Sequence, residues 1–208
     1  MFWHEQERSL LVVYVDDFKL AGPTSSLPRV EKKIRTGVRA EEPGPISKYL
    51  GCEHIMKEVH VRPGQTPLEA LSEPVPACGG PPSRDSVTVR TLVYDMSGFL
   101  RQCVDRYLEL ANRSRSSLRR VGTPFTDKDE GNAPEGAEVR GELANIAAKV
   151  LMKILYAARM CRFDLLRAVC ALAAKVTKWT SACDAPLHRL ICYINATLDV
   201  HMIAYVGD

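Results

Sequence analysis

The chain has 208 residues and a mass of 23.1 kDa, which suits one domain or two small ones and excludes a large multidomain enzyme. Apolar residues make up 46% and charged residues 25%, which excludes a wholly disordered or collagen-like chain. The net charge is only +3, from 28 basic and 25 acidic residues. A nucleic-acid partner must therefore be argued from where the basic residues lie.

The sequence carries no pattern typical of a membrane or a secreted protein. Its first apolar run, Leu10–Val15, is far shorter than the roughly 18 to 20 residues needed to span a bilayer, and lysines interrupt the later apolar stretches. The start lacks the basic segment and cleavage site of a signal peptide. Seven cysteines without a Cys-x-x-Cys pair argue against a disulfide framework or a zinc ribbon. We therefore expect an intracellular protein, cytoplasmic or nuclear, with no membrane partner.

Two stretches divide the chain into three blocks. The segment 63–86 is rich in Pro and Gly, which interrupt helices and strands alike, and predicts a linker. The segment 126–142 is acidic and predicts a second, solvated linker. The blocks that remain are 1–62, 87–125 and 143–208.

The first block opens with a predicted β-hairpin. Two runs rich in β-branched and aromatic residues, Leu10–Val15 and Phe18–Gly22, flank the pair Asp16-Asp17, which is the pattern of strand, turn and strand. A short basic helix over 30–38 and an extended stretch over 49–61 follow.

The second and third blocks are mainly helical by their spacing of apolar residues. The second predicts a strand from Val87 and then a helix capped by Ser97. The third predicts a long helix over 143–158, a helix capped by Asp164, a helix capped by Asp184 and a strand over 201–206. The predicted fold class is therefore α+β.

The adjacent carboxylates Asp16 and Asp17 are the sharpest chemical feature. Asp is common in turns because its side chain bonds to nearby backbone N–H groups, and this interpretation needs no function. Alternatively, two strands could hold both carboxylates at one end of a hairpin, where hard oxygen ligands suit Mg²⁺ or Mn²⁺ for phosphoryl transfer. The pair alone leaves both interpretations open.

The wider sequence resembles the copia-type retrotransposon reverse transcriptases. Their Tyr-Val-Asp-Asp hairpin is matched by Tyr14-Val15-Asp16-Asp17. Further matches follow in the family's order: Gly44–Gly51, Thr123-Pro124, Leu155–Asp164 and Tyr193–Asp199. The resemblance implies a partial polymerase palm over 1–62, a thumb-like strand and helix over 87–125, and a helical connection over 143–208 leading towards a missing ribonuclease H domain.

The resemblance also implies a chemistry. The parent enzyme would carry out template-directed DNA synthesis by two-metal nucleotidyl transfer, with Asp16 and Asp17 as catalytic metal ligands for Mg²⁺ or Mn²⁺. Tyr14 and Val15 would lie near the primer end or the nucleotide. The partners would be an RNA/DNA template–primer duplex and deoxynucleotides, with no small-molecule cofactor.

One departure from the family decides what we expect of the isolated chain. The family also needs an Asp on an earlier palm strand and a fingers region, whereas only fifteen residues precede Asp16. We therefore expect a fragment that is inactive alone. Two alternatives stay open: a non-enzymatic remnant of a decayed or captured element that binds nucleic acid or protein, and a different metal-dependent phosphotransferase built on the same hairpin.

Basic residues form a second constellation. One group lies just after the helix of the second block and the other on the helix after Asp164, where we expect a shared helix face. Either group could follow a nucleic-acid backbone, or could simply be a solvated surface. The predicted backbone-contacting residues are Arg113, Arg115, Arg119, Arg120, Arg167, Lys175 and Lys178.

The histidines give no clear site. His54 and His60 could share a strand face, but no third ligand is evident, so we expect this pair to be incidental. For His188 we expect a surface or capping role.

Overall fold

The structure is a computed structural model that describes residues 1–66, 69–70, 85–126 and 139–206. Most of the two predicted linkers, 63–86 and 126–142, lies outside the described residues. The described residues form five α-helices and two β-sheets, which confirms the mixed α and β class. The chain divides into two compact units, and each is described by itself.

The first unit, here called the sheet unit, comprises 1–93 together with 203–206. Its first sheet has the order β1-β2-β3, with β1 at Phe2–His4, β2 at Ser9–Tyr14 and β3 at Asp17–Ala21, all antiparallel. The predicted hairpin is therefore present. Helix α1, Leu27–Gly37, follows; it begins three residues before the predicted basic helix over 30–38 and ends one residue earlier.

The second sheet of this unit has the order β4-β5-β6-β7. Strands β4 (Lys48–Tyr49) and β5 (Cys52–Val61) are antiparallel, and Tyr49 pairs with Cys52 across the turn Leu50-Gly51. Both turn residues have positive φ, 51° and 75°, as a type I′ hairpin requires. The Leu-Gly pair of the sequence motif is thus a tight turn.

Strands β6 (Val87–Asp95) and β7 (Met202–Val206) complete this sheet. The sequence grouped the strand from Val87 with the helix that follows it. The structure places 87–93 in the sheet unit instead, because β6 finds its hydrogen-bonding partners in β5 and β7.

The second unit, here called the helical unit, comprises 94–202. Its helices are α2 (Ser97–Leu110), α3 (Ala144–Met160), α4 (Leu166–Ala173) and α5 (Asp184–Ala196). Apolar residues spaced three and four apart bury one face of each helix against the others. The fully buried side chains include Val104, Tyr107, Leu151, Ile154, Leu187, Leu190, Ile191 and Ile194.

Two predicted helix caps have other roles in the structure. Ser97 does not cap α2: its backbone N–H donates to the carboxylate of Asp95 at 2.7 Å, so Asp95 supplies the capping oxygen. Asp164 does not cap α4 either, because its carboxylate binds the guanidinium of Arg162 within a short 3₁₀ turn.

The third predicted cap, Asp184, is the first residue of α5, but its carboxylate serves a different helix. It accepts hydrogen bonds from the backbone N–H groups of Glu142 and Leu143, at 2.8 and 3.2 Å, where α3 begins. It also accepts one from Nε1 of Trp179 at 2.8 Å. An acid at a helix start is favoured by the local dipole, and here one side chain ties the starts of two helices together.

No helix among the described residues has the length and apolar character to cross a membrane.

Candidate functional site

The predicted carboxylate pair lies at the end of the β2–β3 hairpin. Tyr14 and Asp17 form the last pair of the ladder, so the turn consists of Val15 and Asp16 alone. All four side chains are exposed. Both carboxylates are thus presented to solvent at the end of a regular antiparallel ladder.

Val15 gives this turn an unusual backbone. Its φ is +54°, a region that disfavours β-branched residues and that suits Gly at the first position of a type II′ turn. The side chain is 82% exposed, so no packing explains the choice of Val. Such strain costs about 1–3 kcal/mol and is concentrated at functional sites.

The hairpin has two different faces because successive side chains alternate along a strand. On one face, Leu11 and its cross-strand partner Leu20 line an apolar cavity of about 270 Å³, together with Val30 and Ile34 of α1. This packing holds the hairpin against the helix. Asp17 points to the opposite face, which it shares with Lys19.

On that opposite face, Lys19 meets the second sheet of the same unit. Its Nζ lies 3.1 Å from Nε2 of His54 and 5.7 Å from the ring centre of Tyr49. Burial lowers the pKa of Lys19, and burial followed by the charge of Lys19 lowers the pKa of His54. His54 was predicted to be incidental, and its contact with Lys19 was missed because it joins residues distant in sequence.

Tyr49 links this contact to the carboxylate pair. Burial, and then the negative charge of Asp17, raises the pKa of the Tyr49 phenol. Its hydroxyl is buried and has no hydrogen-bond partner among the described residues. The hairpin is therefore held from both faces, and Asp17 stands at the edge of a partly buried polar cluster.

The donor chemistry at the hairpin end suits Mg²⁺ or Mn²⁺. Mg²⁺ is commonly bound through one or two carboxylates, with water and substrate phosphates completing its octahedron. Asp16 and Asp17 supply such a partial set. Among the described residues no group of three or more metal-ligating side chains comes together, and β1, the other strand paired with β2, carries no acid. Within the described part of the first sheet there is thus no second acidic strand beside the hairpin for an unrelated phosphotransferase.

The basic residues after α2 are not equivalent. Arg115 is engaged by an ion pair with Asp105 and a hydrogen bond to Asn195 at 3.2 Å. Arg119 and Arg120 are exposed, and Arg113 is half-buried. Within this group, Arg119 and Arg120 are the better placed to contact a ligand.

The other predicted basic group does not share one helix face. Helix α4 ends at Ala173, so Lys175 lies beyond it and Lys178 ends a separate 3₁₀ turn over 176–178. The expected shared face is wrong because the helix ends before Lys175 and Lys178. Arg167 does lie on α4, where its guanidinium stands 5.5 Å from the ring centre of Phe125.

A buried arginine, Arg162, is a polar centre of the helical unit that was not predicted from the sequence. Arg162 is 1% exposed and donates to both carboxylate oxygens of Asp164, at 2.9 and 2.8 Å, and to the carbonyl and hydroxyl oxygens of Thr197, both at 2.9 Å. It joins the start of α4 to the end of α5. The Arg-x-Asp spacing in the sequence could have indicated this ion pair. The role of Arg162 here is structural.

Comparisons with protein-family models, with curated proteins and with solved structures find no match to this chain.

Proposed function

We propose that the chain is a segment of a copia-type retrotransposon reverse transcriptase. In the completed enzyme, Asp16 and Asp17 ligate metal for nucleotidyl transfer and the helical unit contacts the template–primer duplex. The segment alone does not catalyse DNA synthesis, because the two-metal site needs a further carboxylate from an earlier palm strand.

The geometry of the hairpin carries this proposal. The turn places two adjacent, exposed carboxylates at the end of a ladder that α1 supports on one face and the second sheet supports on the other. A simple turn needs only one Asp to bond the backbone and has no use for a strained Val15. A rigid platform for charged ligands accounts for both features.

Each hairpin residue has a role in the proposed reaction. Metal ions, when bound, activate the primer 3′-hydroxyl and stabilise charge on the phosphate in an in-line displacement. Asp16 and Asp17 hold them, and Tyr14 and Val15, exposed beside the carboxylates, face the primer end or the deoxynucleotide.

The open edge of the first sheet offers a place for the further carboxylate. Within the described residues β3 pairs only with β2, so its other edge has unpaired backbone groups. Asp17 begins this edge strand. A palm strand added there would complete the sheet and bring its own side chains beside Asp17.

Manganese binding at the hairpin tests the metal role without requiring catalysis. Mn²⁺ is paramagnetic and broadens the amide signals of nearby residues in an NMR spectrum of the ¹⁵N-labelled chain. We expect selective broadening at 14–18 during a Mn²⁺ titration, and its loss in the double variant Asp16→Asn/Asp17→Asn.

The control is Asp199→Asn, which removes one exposed carboxylate from the helical unit. This variant should keep the broadening at the hairpin. Equal broadening of the hairpin in the wild type and in the double variant would contradict the metal role.

A second candidate is a non-enzymatic protein that binds nucleic acid through the helical unit. The observation that favours it is that this unit has its own core and carries the exposed Arg119 and Arg120. It predicts salt-sensitive binding to a duplex that is unchanged by Asp16→Asn, together with no metal-dependent broadening at the hairpin.

A further inference from the structure

A polar cleft of about 440 Å³ lies in the helical unit between the segment after α2 and the exposed side of α5. Its lining combines basic and hydroxyl side chains with the smaller apolar residues Val121, Ala185 and Cys192. The residues that matter are Ser116, Ser117 and Arg119 from the segment, and His188 and Arg189 from α5.

The two arginines present unused hydrogen-bond donors to this cleft. Arg119 is exposed, and its guanidinium makes no ion pair or hydrogen bond with a described residue. Arg189 donates through Nε and Nη2 to the carbonyl and hydroxyl oxygens of Thr123, at 3.1 and 3.0 Å, which leaves Nη1 without a described partner. One arginine is thus fixed in place by the chain, and the other is free to close on a ligand.

His188 fixes the distance between the two sides of the cleft, which are the segment after α2 and helix α5. Its Nε2 donates to the carbonyl oxygen of Ser117 at 3.2 Å, and its Nδ1 accepts from the hydroxyl of Tyr107 at 2.9 Å. The segment that carries Arg119 is therefore tied to α5, which carries Arg189. His188 positions the walls and has no N–H left for a ligand.

The charge around the cleft is positive. Burial, and then the nearby charges of Arg113 and Arg119, lower the pKa of His188 against the opposing hydrogen bond to Ser117. The neighbouring acids are already engaged: Asp184 accepts backbone N–H groups at the start of α3, and Asp105 pairs with Arg115. An anion entering the cleft would meet arginine donors rather than carboxylates.

We infer that this cleft binds a phosphate group through Arg119 and Arg189. Planar guanidinium groups with paired N–H donors match the tetrahedral oxygens of phosphate. The phosphate could belong to a nucleic-acid backbone or be a free phosphate ion. Assigning it to a backbone rests on the proposed function, whereas the phosphate site itself does not depend on the hairpin.

The test is a titration of the full ¹⁵N-labelled chain with sodium phosphate at constant ionic strength, read at the amides of 115–121 and 185–192. The variant Arg119→Gln removes an exposed charge without disturbing a described contact. We expect it to weaken phosphate binding about tenfold, whereas Lys149→Gln, which removes an exposed charge from α3, leaves binding unchanged.

A second arm identifies the source of the phosphate. Anisotropy of a labelled RNA/DNA duplex is measured against salt for the same variants, and loss of one backbone contact should reduce the salt slope by about one. A reduced slope with Arg119→Gln assigns the cleft to a nucleic-acid backbone. An unchanged slope with weakened phosphate binding assigns it to free phosphate. Equal phosphate affinity in Arg119→Gln and the wild type would overturn the site, whatever the outcome of the manganese experiment.

Discussion

The two units differ in where their stability and their chemistry lie. In the helical unit, most apolar side chains on four helices are buried together and even an arginine is fully enclosed. Among the described residues of the sheet unit, few side chains are fully buried, and large apolar residues such as Phe2 and Trp3 are more than half exposed. The acidic residues of greatest interest lie at the exposed tip of the less well-packed unit. The less well-packed unit thus carries the candidate metal-binding carboxylates.

The largest change in the free energy of unfolding is expected when a buried side chain of the helical core is truncated. Ile154→Ala removes a fully buried side chain of α3, and we expect a loss of about 3–4 kcal/mol in the free energy of unfolding. Urea denaturation followed by far-UV circular dichroism measures it. The matched control on the same helix is Met152→Ala, whose side chain is 48% exposed and whose loss should matter little. Similar losses for the two variants would contradict the described core.

The second largest loss of stability is expected from replacing the buried Arg162. Arg162→Leu removes the guanidinium that donates to Asp164 and to the Thr197 carbonyl, and we expect a loss of about 3 kcal/mol in the free energy of unfolding. Arg159→Leu, an exposed position on α3, is the control and should change the urea midpoint only slightly. An equal shift in both variants would show that Arg162 does not join α4 to α5.

The same ion pair predicts a pH dependence. Burial raises the pKa of Asp164, but the hydrogen bonds and charge of Arg162, together with a hydrogen bond from Tyr193, outweigh it and hold the pKa below 3.8. The stabilisation is therefore complete above the unfolded-state pKa of about 3.9 and is lost as pH falls through the lower folded-state pKa.

Urea midpoints measured as the pH is lowered from 5 towards 2 should fall less steeply in Asp164→Asn than in the wild type. Asp199→Asn, which removes an exposed carboxylate, should keep the steep fall. Equal pH dependence of the urea midpoint in the wild type and in Asp164→Asn would contradict a stabilising Arg162–Asp164 ion pair.

The smallest change in stability is expected at the hairpin turn, where the substitution should stabilise the protein. Val15→Gly relieves the positive φ without losing packing, and we expect the sheet unit to gain about 1 kcal/mol. Hydrogen exchange at the amides of β2 and β3 measures it. Val38→Gly is the control: Val38 has a φ of −134°, where Gly gains nothing and destabilises. A loss of protection in Val15→Gly would show that the turn is not strained.

Local sequence patterns predicted the elements well and the long-range contacts poorly. The two runs of β-branched and aromatic residues on either side of Asp16 and Asp17 were enough for the hairpin, because strand pairing across a two-residue turn is a local property. The contact between Lys19 and His54 joins two sheets, and no spacing along the chain encodes it. The caps failed for the same reason: Asp184 has the residue type of a cap, but tertiary packing directs its carboxylate to another helix.

The basic residues show the same limit. Helical spacing placed Lys175 and Lys178 beside Arg167, but the helix ends at Ala173, and periodicity cannot be extended past the end of a helix. The cleft between Arg119 and Arg189 depends on His188 bridging the segment after α2 and α5, residues about 70 apart in sequence. Residue type indicated positive charge, but only the fold shows which charges converge.

Primer extension by a completed enzyme is the decisive test of whether Asp16 and Asp17 belong to a polymerase site. The chain is joined to the fingers and first palm strands of a copia-type reverse transcriptase, and extension of a DNA primer on an RNA template is measured with Mg²⁺. We expect extension by the completed enzyme, loss of extension in its Asp16→Asn variant, and no extension by the isolated chain. Extension by the isolated chain, or undiminished extension by the completed enzyme carrying Asp16→Asn, would contradict this expectation.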